Sequence, residues 1–159
     1  RYIGNGAPKH FLSLSNNLTW RNFDLSVFFR GTFGFDVFNM RKYGMGLQGC
    51  GTDNVLRSAY LEDKNIRTGG GVISSYFLED GSFIKLENVT LGYNFTPKNR
   101  KLLDNMRIYL SAKNLFTLTG YSGNDPSIID VNGIQPGVDS NSAYPTATQL
   151  SLGVTLRFK

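Results

Sequence analysis

Apolar and polar residues alternate along five stretches of the chain, with the period of two that is typical of β-strands. In the second stretch, every odd position from Phe23 to Phe29 is apolar, whereas Asp24 and Ser26 face the opposite way. This pattern predicts an all-β fold of antiparallel strands. The five predicted strands comprise residues 11–20, 23–35, 83–95, 106–118 and 147–158.

The connections between these strands alternate in length. Residues 21–22 form a two-residue hairpin loop, and residues 96–105 form a turn of about ten residues. Residues 36–82 and 121–143 are long connections rich in Gly, Asn, Asp and Ser. Short periplasmic turns and long outer loops are the layout of a transmembrane β-barrel, and most predicted strands reach the roughly 9–11 residues that cross a bilayer.

Aromatic residues concentrate at the two ends of the predicted apolar face. One group lies at the short-turn end, and Phe33, Phe35 and Phe116 lie at the long-loop end. Two aromatic belts separated by aliphatic residues are typical of the interfacial girdles of a membrane barrel. The girdle predicted at the short-turn end consists of Trp20, Phe23, Tyr93, Phe95 and Phe158.

Five strands are too few to close a membrane barrel. Single-chain barrels need at least about eight strands, and an open sheet edge in lipid leaves backbone groups without hydrogen-bond partners. We therefore expect a fragment of a larger barrel that does not close alone. The alternative is a soluble β-sandwich acting as a carbohydrate-binding module, since a sandwich also alternates inward and outward residues.

The composition excludes several other classes of protein. The 159 residues include 18 Gly, 12 Phe and 8 Tyr, a mixture that favours strands and loops over helices. The single cysteine, Cys50, excludes an internal disulfide framework, and one His with one Cys excludes the common zinc sites. The net charge of +5 is mild, and the aromatics follow strands instead of a basic face, so nucleic acid is not an expected partner.

The sequence shows no catalytic constellation and predicts no metal or cofactor, which argues against an outer-membrane enzyme. A Ser-His-Asp arrangement would need His10, at the start of a strand. Glu79 and Asp80 are adjacent, and adjacent strand residues point to opposite faces, so they form no acid/base pair. Three aspartates of one loop lack the spacing of a calcium site, which favours turn chemistry. They are Asp125, Asp130 and Asp139.

Several motifs resemble those of the SusC/RagA-type TonB-dependent transporters. Residues 76–83, continued by Lys85 and residues 88–93, are similar to the late-barrel signature of that family. Residues 107–109 and 114–117 resemble parts of its last two strands. The resemblance spans nearly the whole chain.

The last strand also resembles the signal by which the outer-membrane assembly machinery recognises its substrates. The residues that match this assembly signal are Gly153, Leu156 and Phe158. Most such barrels end on the aromatic residue, whereas Lys159 follows Phe158 here.

The resemblance implies the C-terminal part of a barrel of about 22 strands, plugged by an N-terminal domain. It implies the outer membrane of a Gram-negative, Bacteroidetes-type bacterium, and import of large nutrients, typically glycans and in some members peptides. The implied partners are a SusD-like surface lipoprotein, the TonB complex through a part outside this chain, the assembly machinery and the lipid bilayer. No enzymatic activity is implied.

Any contact with the imported solute is expected in the long loops, because sugar sites combine aromatic platforms with hydrogen-bonding neighbours. The alternative is that the loop tyrosines pack the loops together or contact the lipoprotein. The candidate tyrosines are Tyr43, Tyr60, Tyr76 and Tyr121. Cations on the polar face of the strands are expected to pair with carboxylates of the plug. They are Arg30, Lys85, Arg107 and Lys113.

Overall fold

A computed structural model describes residues 3–46, 54–57, 73–97, 103–127, 136–140, 144 and 146–158 of the chain. The chain divides into two compact units. The first unit comprises Arg1–His10, Thr32–Phe83 and Thr119–Pro145, and the second comprises Phe11–Gly31, Ile84–Leu118 and Thr146–Lys159.

The described residues form eight strands, numbered in chain order. They are β1 (His10–Trp20), β2 (Phe23–Phe33), β3 (Asp36–Asn39), β4 (Leu78–Asp80), β5 (Phe83–Phe95), β6 (Leu103–Thr119), β7 (Val138–Asp139) and β8 (Gln149–Phe158). A six-residue helix, α1, spans Met40–Met45, and a 3-10 turn spans Ser75–Phe77. None of the helices among these residues is long and apolar enough to cross a membrane.

The five long strands form one sheet in the order β1-β2-β5-β6-β8, so β1 and β8 are its edges. The pair β6 and β8 is antiparallel, with Ile108 opposite Val154 and Lys113 opposite Gln149. Strand length runs from 10 residues in β8 to 17 in β6. These strands confirm the predicted all-β fold class.

Most large apolar side chains of these strands are exposed in this chain. Leu152 is 75% exposed, Phe11 71% and Trp20 67%. A β-sandwich would bury one face of such a sheet against a second sheet. Every residue of β1 and nearly every residue of β8 is exposed instead, so the structure does not support the soluble sandwich.

A smaller sheet in the first unit has the order β4-β3-β7. Strand β3 is antiparallel to β4 and parallel to β7, with Phe38 opposite Val138. The buried core of the unit lies beside this sheet, and the rings of Phe35 and Phe83 are 6.5 Å apart, edge to face. The core residues are Phe35, Val37, Phe83 and Tyr121.

The structure corrects the expected end of the second strand. The strand was expected to reach residue 35, but β2 ends at Phe33 because Gly34 adopts a φ of 75°, a conformation that glycine tolerates and that turns the chain. The Gly34 amide donates to Ser82 Oγ at 3.1 Å. Phe35, expected in the outer aromatic belt, is therefore in the core of the first unit.

The two long connections are not entirely loop. Residues 36–82 contain β3, α1 and β4, and residues 121–143 contain β7. These strands have only two to four residues, too few for a period of two to be visible in the sequence. The fourth long strand is also longer than expected and the fifth shorter, at Leu103–Thr119 and Gln149–Phe158.

Candidate functional site

A cavity of about 630 Å³ opens in the first unit. This volume lies within the roughly 300–1,000 Å³ typical of small-molecule sites. Its walls come from segments far apart in the sequence: α1, the segment around residue 57, β4 and the residues after β6. The lining is strongly polar and includes Arg41, Lys42, Arg57, Glu79, Asp80 and Ser122.

Asn39 fixes α1 against the other walls of the cavity. Its side chain accepts a hydrogen bond from the Lys42 amide at 2.8 Å, which satisfies a free donor at the start of the helix. Its Nδ2 donates to Glu79 Oε1 at 3.3 Å and to Ser122 Oγ at 3.2 Å. Asn39 is only 3% exposed, and this buried amide therefore joins three of the wall segments.

The carboxylate of Glu79 is held by several donors. It accepts hydrogen bonds from the Ser122 amide and the Ser122 hydroxyl, each at 2.9 Å, and Lys42 Nζ lies 3.6 Å away. Burial opposes its ionisation, but the Ser122 bonds, the Lys42 charge and the Asn39 amide together lower the pKa of Glu79 below its ordinary value. The negative charge of Glu79 is thus compensated from within the unit.

The two guanidinium groups at the cavity, those of Arg41 and Arg57, differ in their hydrogen bonding. Arg41 Nη1 donates to Asn124 Oδ1 at 3.0 Å, a neutral acceptor, and Arg57 is exposed. Neither forms an ion pair with a residue that the structure describes. Asp80, the remaining carboxylate of the wall, accepts from the Ser82 amide at 2.9 Å and hydroxyl at 2.6 Å.

Tyr121, one of the candidate ligand tyrosines, is buried in the core of the first unit at 6% exposure. Its hydroxyl donates to Asp139 Oδ2 at 2.5 Å. Burial, that hydrogen bond and the charges of Asp139 and Glu79 raise the pKa of Tyr121. This geometry fits the alternative in which a tyrosine packs the loops together.

Tyr43 and Tyr76 share one aromatic cluster. Each ring lies 5.2 Å from the ring of Phe77 in a nearly perpendicular arrangement, and Phe38 is 5.7 Å from Tyr43. Lys42 Nζ lies 4.5 Å from the centre of the Tyr76 ring. Both tyrosines are partly exposed, and their contact with a solute stays a prediction. The fourth candidate, Tyr60, lies outside the described residues.

The residues predicted to form the short-turn girdle are all exposed, and three of them are in contact. The rings of Trp20 and Phe23 stack 6.5 Å apart, and Phe23 lies 4.8 Å from Tyr93. Phe95 is 44% exposed and Phe158 is 62% exposed. Their placement at a membrane interface stays a prediction.

Gly153, expected in the assembly signal, also has a packing role. It lies opposite Tyr109, and a Cβ at this position would overlap the Tyr109 ring. Leu156 lies opposite Met106, and Phe158 is 62% exposed near the end of β8. Glycine is therefore needed here for sheet packing, whereas recognition of these residues by the assembly machinery stays a prediction.

Cations on the polar face of the long strands have partners within the same unit. Arg107 forms an ion pair with Asp24, and Arg30 Nη2 lies 3.3 Å from Glu87 Oε1. Lys85 Nζ donates to Thr146 Oγ1 at 3.1 Å. Arg30 thus has a carboxylate partner on the adjacent strand β5, and Arg107 has one on β2, across β5. Pairing of these cations with carboxylates of a plug stays a prediction.

The described residues hold no group of three or more metal-ligating side chains. Asp125 accepts from the Ser127 amide at 2.8 Å and the Ser127 hydroxyl at 2.6 Å, and Asp139 bonds Tyr121. Asp125 thus stabilises its own turn, whereas Asp139 holds the hydroxyl of a tyrosine distant in the sequence. Asp130 lies outside the described residues.

Sequence reasoning missed the cavity and its arginines. Arg41, Arg57 and Ser122 belong to segments that come together only in the folded unit, and no spacing in the sequence relates them. The sequence relates Glu79 only to its neighbour Asp80, whereas in the structure its contacts are with Ser122, Lys42 and Asn39. The one local signal is Asn39, a residue type that favours the N-cap of a helix, directly before α1.

Comparison with known proteins gives relatives of one kind. TonB-dependent receptor P3 of Formosa agariphila is 26% identical over 179 residues, which cover 99% of this chain and 17% of that protein. TonB-dependent receptor SusC of Bacteroides thetaiotaomicron is 28% identical over 156 residues, 92% of this chain and 15% of that protein. The chain thus spans about a sixth of the length of these relatives. No protein-family model matches it.

Solved structures of transporters also align with most of this chain. The RagAB peptide importer in its closed-closed state aligns with 98% of this chain and 18% of its own, with a TM-score of 0.79 and 23% identity. A structure of the RagAB peptide transporter aligns with 87% of this chain and 16% of its own, at a TM-score of 0.67 and 25% identity. In sequence and in fold, nearly the whole chain is thus similar to a barrel segment of SusC/RagA-type TonB-dependent receptors, which are outer-membrane proteins.

Proposed function

We propose that the chain is the C-terminal part of the barrel of an importer that takes up nutrients too large for porins, chiefly oligosaccharides, with peptides as the alternative cargo. The observation that carries this proposal is the similarity to TonB-dependent receptors over 99% of the chain. The RagAB structures, described as those of a peptide importer, support the second cargo class.

The exposed apolar surface supports a place in a membrane. Leu150, Leu152 and Val154 on β8 are 71%, 75% and 56% exposed, and they alternate with Ser151, Gly153 and Thr155. Lipid would cover the apolar side of such a strand, while the other side faces the interior of a barrel. The backbone groups at the free edges of β1 and β8 need further strands, because lipid offers them no hydrogen bonds.

The partners follow from the same proposal. A SusD-like surface lipoprotein covers the outer loops, the TonB complex supplies energy through a part of the protein outside this chain, and the assembly machinery inserts the barrel. The chain itself carries out no catalysis under this proposal. Its contribution is a section of wall and the loop segments of the first unit, which contain the polar cavity.

An uptake experiment with the full-length receptor tests the proposal. Cells that carry or lack the gene are given fluorescent oligosaccharides or peptides, with and without a protonophore. Uptake that requires both the gene and the proton-motive force is the expected result. Equal uptake by the deletion strain across both cargo classes, or uptake unaffected by the protonophore, would contradict the proposed function.

A further inference from the structure

The described residues that line the cavity of the first unit include three cations and two carboxylates, an excess of one positive charge. Lys42 compensates the charge of Glu79, which Ser122 and Asn39 also hold by hydrogen bonds. Asp80 accepts hydrogen bonds from the neutral Ser82 and keeps its negative charge. The two remaining charged side chains are guanidinium groups. Among the described residues, neither of these groups has an anionic partner.

Most N–H donors of the Arg41 and Arg57 guanidinium groups have no partner among the described residues. A guanidinium has five N–H donors, and Arg41 uses one for Asn124. Arg57 has no hydrogen bond or ion pair to a described residue. The planar fork of a guanidinium matches the two oxygens of a carboxylate, and such bidentate pairs are about twice as strong as neutral hydrogen bonds.

The described part of this wall has no aromatic platform of the kind that binds a neutral sugar. Its described lining residues include no aromatic ring, and Leu56 is its largest apolar side chain. Tyr43 and Tyr76 pack with Phe77 instead. The described part of the lining therefore offers charges and hydrogen bonds to a solute, and no stacking surface.

We propose that this cavity binds the carboxylate of an acidic solute, with Arg41 and Arg57 as the recognising cations. The inference rests on the proposed import function and names the class of its cargo. A carboxylate of this kind occurs in uronic-acid oligosaccharides and in acidic peptides. The cavity volume of about 630 Å³ accommodates one such unit and its neighbours.

Calorimetry on the full-length receptor in detergent tests this proposal with two pairs of probes. One pair is an oligogalacturonate and its carboxyl-reduced, neutral counterpart. The other is an aspartate-rich peptide and the asparagine peptide of the same length. The wild-type receptor should bind the acidic member of at least one pair about tenfold more tightly than the neutral member. The pair that shows this preference identifies the source of the carboxylate.

Variants that each remove one positive charge test whether the acidic probe binds at the cavity. Arg57→Gln and Arg41→Gln should each weaken the acidic probe about tenfold and leave the neutral probe unchanged. Lys9→Gln is the matched control, because Lys9 is an exposed cation of the same unit that does not line the cavity. It should bind like the wild type, which separates a local contact from a change in net charge.

A filling variant provides an independent readout. Gly120 lines the cavity, a Cβ there would meet no atom within 4 Å, and its backbone is outside the left-handed region, so Gly120→Leu adds bulk at the cavity wall. It should weaken the acidic probe without altering charge. Equal binding of acidic and neutral probes, or unchanged acidic binding by both arginine variants, overturns the inference. If uptake nevertheless requires the gene and the proton-motive force, the import function stands and only the anion site is wrong.

Discussion

Asp24 and Arg107 form an ion pair that reaches across a third strand. Asp24 lies on β2 and Arg107 on β6, and β5 runs between them. Arg107 Nε donates to Asp24 Oδ1 at 3.1 Å, and Nη2 donates to Oδ2, which makes the pair bidentate. Asn94 of β5 adds a bond to Asp24 at 2.8 Å. The pair can form because Gly92 of β5 has no side chain beneath it.

Gly92→Ala should destabilise the sheet through this ion pair. A Cβ at Gly92 would lie 2.5 and 2.6 Å from the Asp24 oxygens and 2.7 Å from Arg107 Nε, so the pair must move. Overpacking of this kind costs about 1–3 kcal/mol. The loss is measured as a lower temperature at which the full-length receptor loses its folded, heat-modifiable gel band. Gly120→Ala, in open space, is the control and should change stability by less than about 0.5 kcal/mol.

The ion pair itself can be measured by a double-mutant cycle. Asp24→Asn and Arg107→Gln should each destabilise the receptor, and the double variant should lose less than the sum of the two. The expected coupling is about 0.5–3 kcal/mol, the range for residues in direct contact. The side chains are about a third exposed, so added salt should reduce the coupling. Strict additivity in urea titrations would show that the two residues do not interact.

Substitution of Gly153 distinguishes packing against Tyr109 from recognition by the assembly machinery. Gly153→Ala should lower the yield of folded receptor, because its Cβ would overlap the Tyr109 ring on the opposite strand. If packing is the cause, Tyr109→Ala combined with Gly153→Ala should recover part of that yield. If the assembly machinery reads Gly153 directly, the double variant should be no better than Gly153→Ala alone. Quantitative blots of outer-membrane fractions separate the two results.

The long strands were predictable because their signal is local. A period of two extends over ten or more residues in each of them, and no distant contact is needed to produce it. The small sheet was not predictable in this way, since β3, β4 and β7 have at most four residues. Their pairing depends on contacts between segments about 40 to 100 residues apart, such as Phe38 with Leu78 and Val138.

In the candidate site, too, the sequence predicts what depends on local signals and misses what depends on tertiary contacts. Residue type alone predicts the candidate tyrosines, whereas the structure buries Tyr121 and packs Tyr43 and Tyr76 against Phe77. Burial depends on tertiary neighbours, which residue type does not specify. The cavity arginines were missed because isolated cations in a long connection look like solvated surface.

Glu79, which lies outside the long strands, should make the cavity wall sensitive to acid. Folding lowers the pKa of Glu79 below its ordinary value of 4.5. The stabilisation is therefore fully present above that ordinary value and is lost as the pH falls through the lowered pKa of the folded state. Hydrogen exchange of the Ser122 amide, which donates to Glu79, should report this loss. Glu79→Gln should remove the pH dependence, and Glu87→Gln in the second unit should retain it.

The face of β8 that lipid covers can be tested by two neighbouring substitutions. Leu152 is 75% exposed near the middle of the strand, and Ser151 points to the opposite face. Leu152→Arg should cost about 2–4 kcal/mol, as a charge facing lipid near the midplane does, and should reduce insertion of the full-length receptor. Ser151→Arg introduces the same charge one residue away and should insert almost as well as the wild type, because the barrel interior is hydrated. Both are measured as the fraction of folded protein in outer-membrane preparations and by refolding into lipid vesicles under urea. If Ser151→Arg were the more damaging of the two, the polar side of β8 would face lipid and the assigned orientation of the sheet would be reversed.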